Sequence, residues 1–245
     1  MRVVAIIQAR MGSTRLPGKV LLALGGQTVL AHVIARVQAA PVADIVVATT
    51  VCPSDDVVVE EAKRCGARWF RGSEDDVLAR YHLAAQQSGA RVVLRVTADC
   101  PLLDPGVLGT LIETFVAQLG AGVDYASNTL QRTYPRGLDA EVFTAAALET
   151  AFLQATKPHE REHVTPYLYQ HPELFRLYHL VNDVDLSHHR WTLDTLEDFQ
   201  LLDAIFRALA GGPITTQRVL AYLDRHPELV RLNAHVAQKK LEANG

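Results

Sequence analysis

The chain has 245 residues, 49% hydrophobic and 21% charged, with a formal net charge of −3. That length suits one large α/β domain or two small ones, and the slight acidity argues against a general nucleic-acid binder, which is usually basic. No stretch approaches the ~20 apolar residues of a membrane span, and the N-terminal apolar run is too short for a secretory signal, so a soluble, cytoplasmic protein with neither nucleic acid nor membrane as partner is expected. Cys52, Cys65 and Cys100 form no CxxC and no zinc spacing, and read as reduced thiols.

Residues 3–7 (VVAII) read as a buried strand. Residues 28–40 read as a helix capped by Thr28, and 44–50 (DIVVATT) as a second strand. Ser54 is the expected cap of a helix over 54–66, with acids in its first turn and Gly66 as terminator. Residues 67–70 (ARWF) suggest a short strand, and 73–89 a helix opened by a Ser-x-x-Asp box at Ser73 and Asp76. Residues 91–97 (RVVLRVT) form the next strand. Leu108, Leu111, Ile112, Phe115, Val116 and Leu119 then recur at helical spacing behind Pro105. Such strand–helix alternation implies a mostly parallel, doubly wound sheet. Ligands of such sheets sit at the carboxyl ends of the strands, which places 8–19, 49–51 and 97–100 on one rim.

After Asp124 the texture changes. Extended or hairpin segments surround one helix over 144–156. Residues 189–209 read as strand, turn and helix, with Thr195 as cap. Two short helices follow, and 236–245 is expected to fray. There is no repeat, low-complexity tract or linker.

The stretch QARMGSTRLPGKVL (8–21) follows directly on the first strand. A loop at that place presents several backbone N–H groups in one direction, which makes an anion site. Gly12 and Gly18 allow close approach, Ser13 and Thr14 donate hydroxyls, Arg10 and Arg15 can clamp phosphate oxygens, and Lys19 adds a mobile charge. The loop is neither a Walker loop nor GxGxxG. A solvated basic turn is the plain alternative.

ARMGSTRLPGKVL closely resembles the N-terminal signature of sugar nucleotidyltransferases, especially the cytidylyltransferases that activate acidic sugars (the CMP-KDO and CMP-acylneuraminate synthetase group). VVATT, RGSEDDVLARY, RVTADCPLLDP, YPRGLDAEVF, EREHVTPYLY and RWTLDTLEDFQLL extend the resemblance over nearly the whole chain, toward the SpsF-like spore coat polysaccharide biosynthesis branch. One departure stands out: Thr50 replaces an acid that the sugar-acid synthetases carry in a VATDD-like pattern. The resemblance implies an α/β, Rossmann-like GT-A type fold with a mostly parallel central sheet flanked by helices. It forms a single nucleotidyltransferase domain over 1–245, with a nucleotide-binding half (1–122) and an acceptor-site or oligomerisation half (123–245). Dimerisation is a further implication.

Asp99 and Asp194 each follow a strand-like segment and precede a turn or helix. Each could be a plain turn or cap aspartate. The resemblance assigns both to magnesium, which favours one or two carboxylates plus phosphate oxygens and water. The expected reaction is attack by an acceptor oxygen on the α-phosphorus of a nucleoside triphosphate, CTP by resemblance, with pyrophosphate leaving. Arg10, Arg15, Lys19 and Asp99 are the expected catalytic residues. Gln8, Ala9, Arg10, Met11, Gly12, Ser13, Lys19, Thr49, Ser73, Asp76 and Arg80 are expected around the nucleotide. Asp76 and Arg80 are equally readable as an (i, i+4) helix pair. Arg136, Asp139, Glu141, Arg161 and His163 are expected around a small acidic acceptor, with a charged helix face as the alternative for 160–163. The His188–His189 pair has no third ligand at metal spacing and reads as structural or surface. A glycosyltransferase using a finished nucleotide sugar and a non-catalytic nucleotide-binding protein are the competing readings.

Overall fold

The computed structural model describes residues 1–238. The expected fraying of 236–245 concerns mostly residues 239–245, which lie outside the described residues. The first half contains β1 (Val3–Gln8), β2 (Ala23–Leu24), β3 (Gln27–Thr28), β4 (Asp44–Thr50), β5 (Arg68–Gly72) and β6 (Val92–Thr97). β7 (Val123–Ser127), β8 (Glu141–Thr144) and β9 (Arg176–His179) follow. Seven of these strands form one sheet in the order β5-β4-β1-β6-β8-β7-β9, and β2 and β3 make a separate hairpin. β1 lies parallel to both β4 and β6, and β5 parallel to β4. β8 runs antiparallel between β6 and β7, and β9 pairs parallel with β7. The α/β class and the mostly parallel sheet are thus as expected.

Strand side chains alternate between faces, so a central strand covered on both sides must be apolar throughout. β1 obeys this. Ala5 and Ile7 join a core with Val47, Leu94 and Val96. That core packs under the helices α1 (Val29–Gln38), α2 (Asp56–Arg64) and, two helices later, α4 (Pro105–Gln118). Val4 and Ile6 face the other way, into a core with Val46, Ala48 and Val93 under α3 (Val77–Ser88) and α5 (Ala145–Gln154). A third core joins Leu24, Leu102, Leu138, Trp191 and Leu193 to α8 (Leu196–Ala208) and α9 (Thr216–Arg225). Between these lie α6 (Pro158–His163) and α7 (Pro166–Gln170), and α10 (Pro227–Val230) closes the set. The third core carries Asp194 to the strand ends, far from its place in sequence.

Thr28, Thr144 and Thr195 cap their helices as their positions suggest, each accepting a backbone N–H two or three residues into the first turn. Three local expectations fail. Ser54 is not a cap: Pro53–Asp55 forms a 3-10 turn and α2 starts at Asp56. Ser73 does not open α3. Its hydroxyl accepts the Asp76 N–H at 3.0 Å, and Asp76 is the cap, accepting the Ala79 N–H at 2.9 Å. Residues 189–193 form no strand beyond one isolated bridge, Arg136 to Arg190. Among the described residues no helix is long and apolar enough to cross a membrane.

Candidate active site

The site is built on the carboxyl ends of β1 and β6. Beyond β1, the Ala9 N–H donates to the Ala48 carbonyl (3.2 Å), and the chain folds back so that the Ser13 and Gly18 N–H groups both donate to the Met11 carbonyl (2.9 and 3.0 Å). Gly18 has φ 70°, a left-handed conformation that glycine adopts at no steric cost, and a Cβ there would meet the Met11 methyl at 3.2 Å. The turn delivers Lys19 inward. Beyond β6, the Ala98 N–H donates to the Gln8 carbonyl (2.9 Å), which fixes Asp99 beside the loop. The Leu193 N–H donates to the Asp99 carbonyl (2.8 Å) and brings Asp194 alongside.

The Lys19 ammonium lies 2.6 Å from Asp99 Oδ2 and 2.8 Å from Asp194 Oδ1. Arg15 (2.9 Å) and Arg190 (2.7 Å) both reach Asp194 Oδ2. The Thr97 hydroxyl donates to Asp99 Oδ1 at 2.6 Å. Burial works against charge on Lys19, yet the attraction of Asp99 and Asp194 outweighs it and raises the lysine above its ordinary value. Burial likewise pushes the Asp99 carboxyl up, but Lys19 and the Thr97 hydroxyl hold it below the usual range. The neighbouring Cys100 thiol is pushed well up, by burial first and by Asp99 second. It is held as an inert thiol.

Asp198, with no exposed surface, organises this cluster from behind. It accepts from Arg190 Nε (2.9 Å), from the backbone N–H groups of Asp194 (2.9 Å) and Thr195 (3.1 Å), and from Asn233 Nδ2 (2.8 Å). Neither Arg190 nor Asp198 was expected as a site residue. The signal was present in the LDTLED stretch, whose last acid sits at the third position of the helix beginning at Leu196, where a reciprocal cap is made.

Two clefts meet at this cluster. The first, about 720 Å³, is lined by Gln8, Ala9, Arg10, Gly12, Ser13 and Lys19, and by Glu74, Asp75 and Asp76. The second, about 660 Å³, is lined by Arg95, Arg132, Arg136, Asp139, Glu141 and Tyr169, among others. Arg15, Asp99, Asp194 and His163 belong to both. Each cleft is lined by residues from both sides of residue 122.

Several expected contacts lie elsewhere. Arg80 is 1% exposed and lines neither cleft; its Nη1 donates to the Ser73 carbonyl (2.8 Å) beneath the surface. Asp76 pairs with Arg161 across the molecule and not with Arg80. Arg161, expected at the acceptor, therefore sits on the first cleft. Thr49 has no exposed surface and donates to Asp55 (3.2 Å). Met11 and Ser73 support the loop and the α3 cap, outside the cleft wall. Arg80, Asp76, Arg161 and Thr49 have each committed polar atoms to a partner within the protein, backbone or side chain, before any ligand arrives.

Arg136, Asp139 and Glu141 do share the second cleft, but two are already engaged. Arg132 grips Asp139 with two nitrogens (2.7 and 3.0 Å). Glu141 is bonded by Arg95 and accepts from the hydroxyls of Tyr125 and Thr165 (2.6 Å each). Arg136 is half-buried, and its guanidinium makes no hydrogen bond or ion pair among the described residues. Burial and the charge of Arg132 lower its pKa. Its backbone is fixed against 189–191: the Arg136 N–H donates to His189 and the Trp191 N–H to Arg136 (3.0 and 2.6 Å). Gly137, at φ 106°, makes this approach possible, because a Cβ there would lie 2.5 Å from the Trp191 carbonyl carbon.

The sequence profile of the cytidylyltransferase family matches residues 4–240. An uncharacterized protein of Methanocaldococcus jannaschii is 36% identical over 98% of this chain and 97% of its own length. The spore coat polysaccharide biosynthesis protein SpsF of Bacillus subtilis is 34% identical over 91% of this chain and 94% of its own. The solved structure of a cytidylyltransferase from Leptospira borgpetersenii superposes with a TM-score of 0.90 at 34% identity, covering 98% of this chain and all of that one.

Proposed function

The chain belongs to the cytidylyltransferase family and is a CTP-dependent nucleotidyltransferase, and from that premise we propose that it moves CMP from CTP to a sugar acid in polysaccharide biosynthesis. The observation that carries this reading is the convergence of two carboxylates on one cationic atom at the seam between two clefts. In it, the first cleft takes the nucleotide and the second the acceptor, so the α-phosphorus and the acceptor oxygen meet beside Asp99 and Asp194.

The Lys19 ammonium, within 3 Å of both carboxylates, shows that a single cation can serve the pair. Among the described residues no group of three or more His, Cys, Asp or Glu forms a metal cage. Two hard oxygen donors, with phosphate and water completing the shell, suit a divalent cation, magnesium in this reading. Asp99 and Asp194 would hold it, and when bound it would neutralise charge on the α-phosphate. Arg10, Arg15 and Lys19 line the nucleotide cleft and would take the triphosphate oxygens, Lys19 and Arg15 leaving their carboxylates to do so. Arg136 would hold the acceptor's carboxylate and aim its hydroxyl at the seam. The hydroxyl oxygen bonds to the α-phosphorus, the bond to the bridging oxygen breaks, and pyrophosphate departs while the hydroxyl proton passes to water.

Pyrophosphate release is the direct test. The protein is incubated with magnesium, one nucleoside triphosphate at a time and a panel of sugar acids. Release with CTP and an acid, abolished in Asp99→Asn, is expected. Release with a different triphosphate only, or transfer from a finished nucleotide sugar without pyrophosphate, would overturn the assignment.

A further inference from the structure

Asp55 stands at the head of α2, where a carboxylate ordinarily caps the helix, yet it makes no side-chain cap bond. It is 2% exposed, and among the described residues it forms no ion pair, though it lies near enough to the Arg80 guanidinium to act on its charge. Instead it gathers four donors. Its Oδ1 accepts the Met11 N–H at 2.7 Å. Its Oδ2 accepts the Thr50 hydroxyl at 2.5 Å, the Thr49 hydroxyl at 3.2 Å and the Thr50 N–H at 3.3 Å. Met11 is in turn the residue on which the anion loop is wound, because its carbonyl takes the N–H groups of both Ser13 and Gly18. One buried carboxylate therefore ties the end of β4 to the residue that closes the loop, from outside the cleft wall.

We propose that Asp55 is a positioning residue for the triphosphate: through Met11 it sets the loop 10–19 in its phosphate-binding shape before the nucleotide arrives. The proposal rests on the nucleotide reading of the first cleft. The hydroxyls of Thr49 and Thr50 are two of the donors that hold the Asp55 carboxylate there. Charge-assisted bonds of this kind are the strong ones, and a displacement of about 1 Å at a supporting residue can cost on the order of 10²-fold in rate.

The test compares wild type with Asp55→Leu, Asp55→Asn and Thr50→Val. Affinity for CTP and for inorganic tripolyphosphate is measured by calorimetry, and melting temperature without ligand. The Leu variant, isosteric but without acceptors, should lose tenfold or more in affinity for both ligands. The Asn variant keeps one oxygen for the Met11 N–H and should recover most of that loss. Thr50→Val keeps the Met11 bond and should lose only a few-fold, and it serves as the probe if the Leu variant does not fold. A merely structural role predicts lower melting temperatures with affinities unchanged in folded protein, and that result would overturn the proposal. So would an Asn variant as weak as Leu. If wild type itself binds neither CTP nor tripolyphosphate, the nucleotide reading falls first.

Discussion

In the cleft proposed for the nucleotide, as against the one proposed for the acceptor, the cations reach across the molecule for their partners. Lys19 spans to Asp99 and Asp194, Arg15 to Asp194, and Arg10 to Glu74. In the acceptor cleft they pair near home. Arg95 meets Glu141 on the neighbouring strand, Arg132 meets Asp139 seven residues on, and Arg136 has no such partner among the described residues. Asp99 and Asp194, the partners of Lys19 and Arg15, are the acids proposed to receive an incoming cation, and on that proposal Lys19 and Arg15 are released when a metal–nucleotide complex binds. The Arg95–Glu141 pair is buried, and parting it would strand charge out of water at a cost of several kcal/mol. Under the proposed roles the first cleft is arranged to exchange partners, whereas the second is a fixed frame around Arg136, which no ion pair holds among the described residues.

Lys19→Met breaks the exchanging side most severely. Loss of a charge that meets the transferring phosphate should lower kcat on the order of 10²–10³-fold. The substitution also leaves Asp99 and Asp194 facing each other without a cation between them. The variant should therefore melt lower than wild type in metal-free buffer, and magnesium should raise its melting temperature more than it raises that of wild type. Equal magnesium responses in the two proteins would mean that Lys19 and the metal do not share the site.

Arg136→Ala probes the fixed frame. For whichever sugar acid supports pyrophosphate release, its KM should rise roughly 10–100-fold, the worth of one hydrogen bond to a charged group. KM for CTP should stay within about twofold. Arg136→Lys should recover only part of the loss, because an ammonium cannot grip a carboxylate with two parallel bonds. A rise in both KM values together would erase the contrast between the clefts.

The cations of the first cleft were legible in the sequence because they stand on one loop, though their distant partners made the contrast itself invisible there. One loop after one apolar strand carries Arg10, Arg15 and Lys19, and the strand-end motif carries Asp99. The parallel sheet followed from the spacing of apolar runs. What the sequence could not show is where a polar side chain spends its bonds. Arg80 and Thr49 sit in motif stretches but are buried, and their hydrogen bonds go to Ser73 and Asp55. Asp55 reaches Met11 across a long sequence separation that no periodicity announces, whereas Arg190 and Asp198 act on near neighbours and only the cap position of Asp198 in LDTLED gave a signal. In the acceptor half the short strands and the isolated bridge at Arg136 and Arg190 leave no alternation to read.

In the core under α3 lies Tyr81, with no exposed surface, its hydroxyl within hydrogen-bond distance of the Ile6 and Val96 carbonyls. Burial pushes this phenol up to about 12 from its ordinary 10. A group whose pKa is raised on folding contributes fully below the unfolded value and loses that contribution as pH rises through the folded one. Tyr81 should thus cost the protein about 1.4 kcal/mol of stability by pH 11. Denaturant melts of Tyr81→Phe should lack that part of the alkaline loss. Lys19 is also raised and titrates at the alkaline end, so Lys19→Met should remove a separate part. Tyr125, Tyr169 and Cys100 are raised as well, so the two variants isolate two parts of the alkaline slope rather than the whole of it.

The smallest expected effect belongs to Arg10 and Glu74, a pair whose side chains are both 42% exposed. Water and salt screen such a pair, and breaking it should change stability by less than about 0.5 kcal/mol. Its meaning for binding is different. Glu74 Oε1 lies against Gly12 and takes Arg10 Nη1 at 3.0 Å, while its other oxygen accepts the Cys52 thiol at 3.2 Å. Glu74→Gln therefore releases Arg10 from a competing carboxylate at the mouth of the nucleotide cleft. If cations on this side exchange partners, CTP should bind the variant a few-fold more tightly at low salt. The gain should fade as ionic strength rises and the Debye length shrinks to about 8 Å at 0.15 M and less beyond. Weaker binding in Glu74→Gln would instead show that Glu74 holds Arg10 in its working position. The rim of the nucleotide cleft would then be as fixed as the acceptor side.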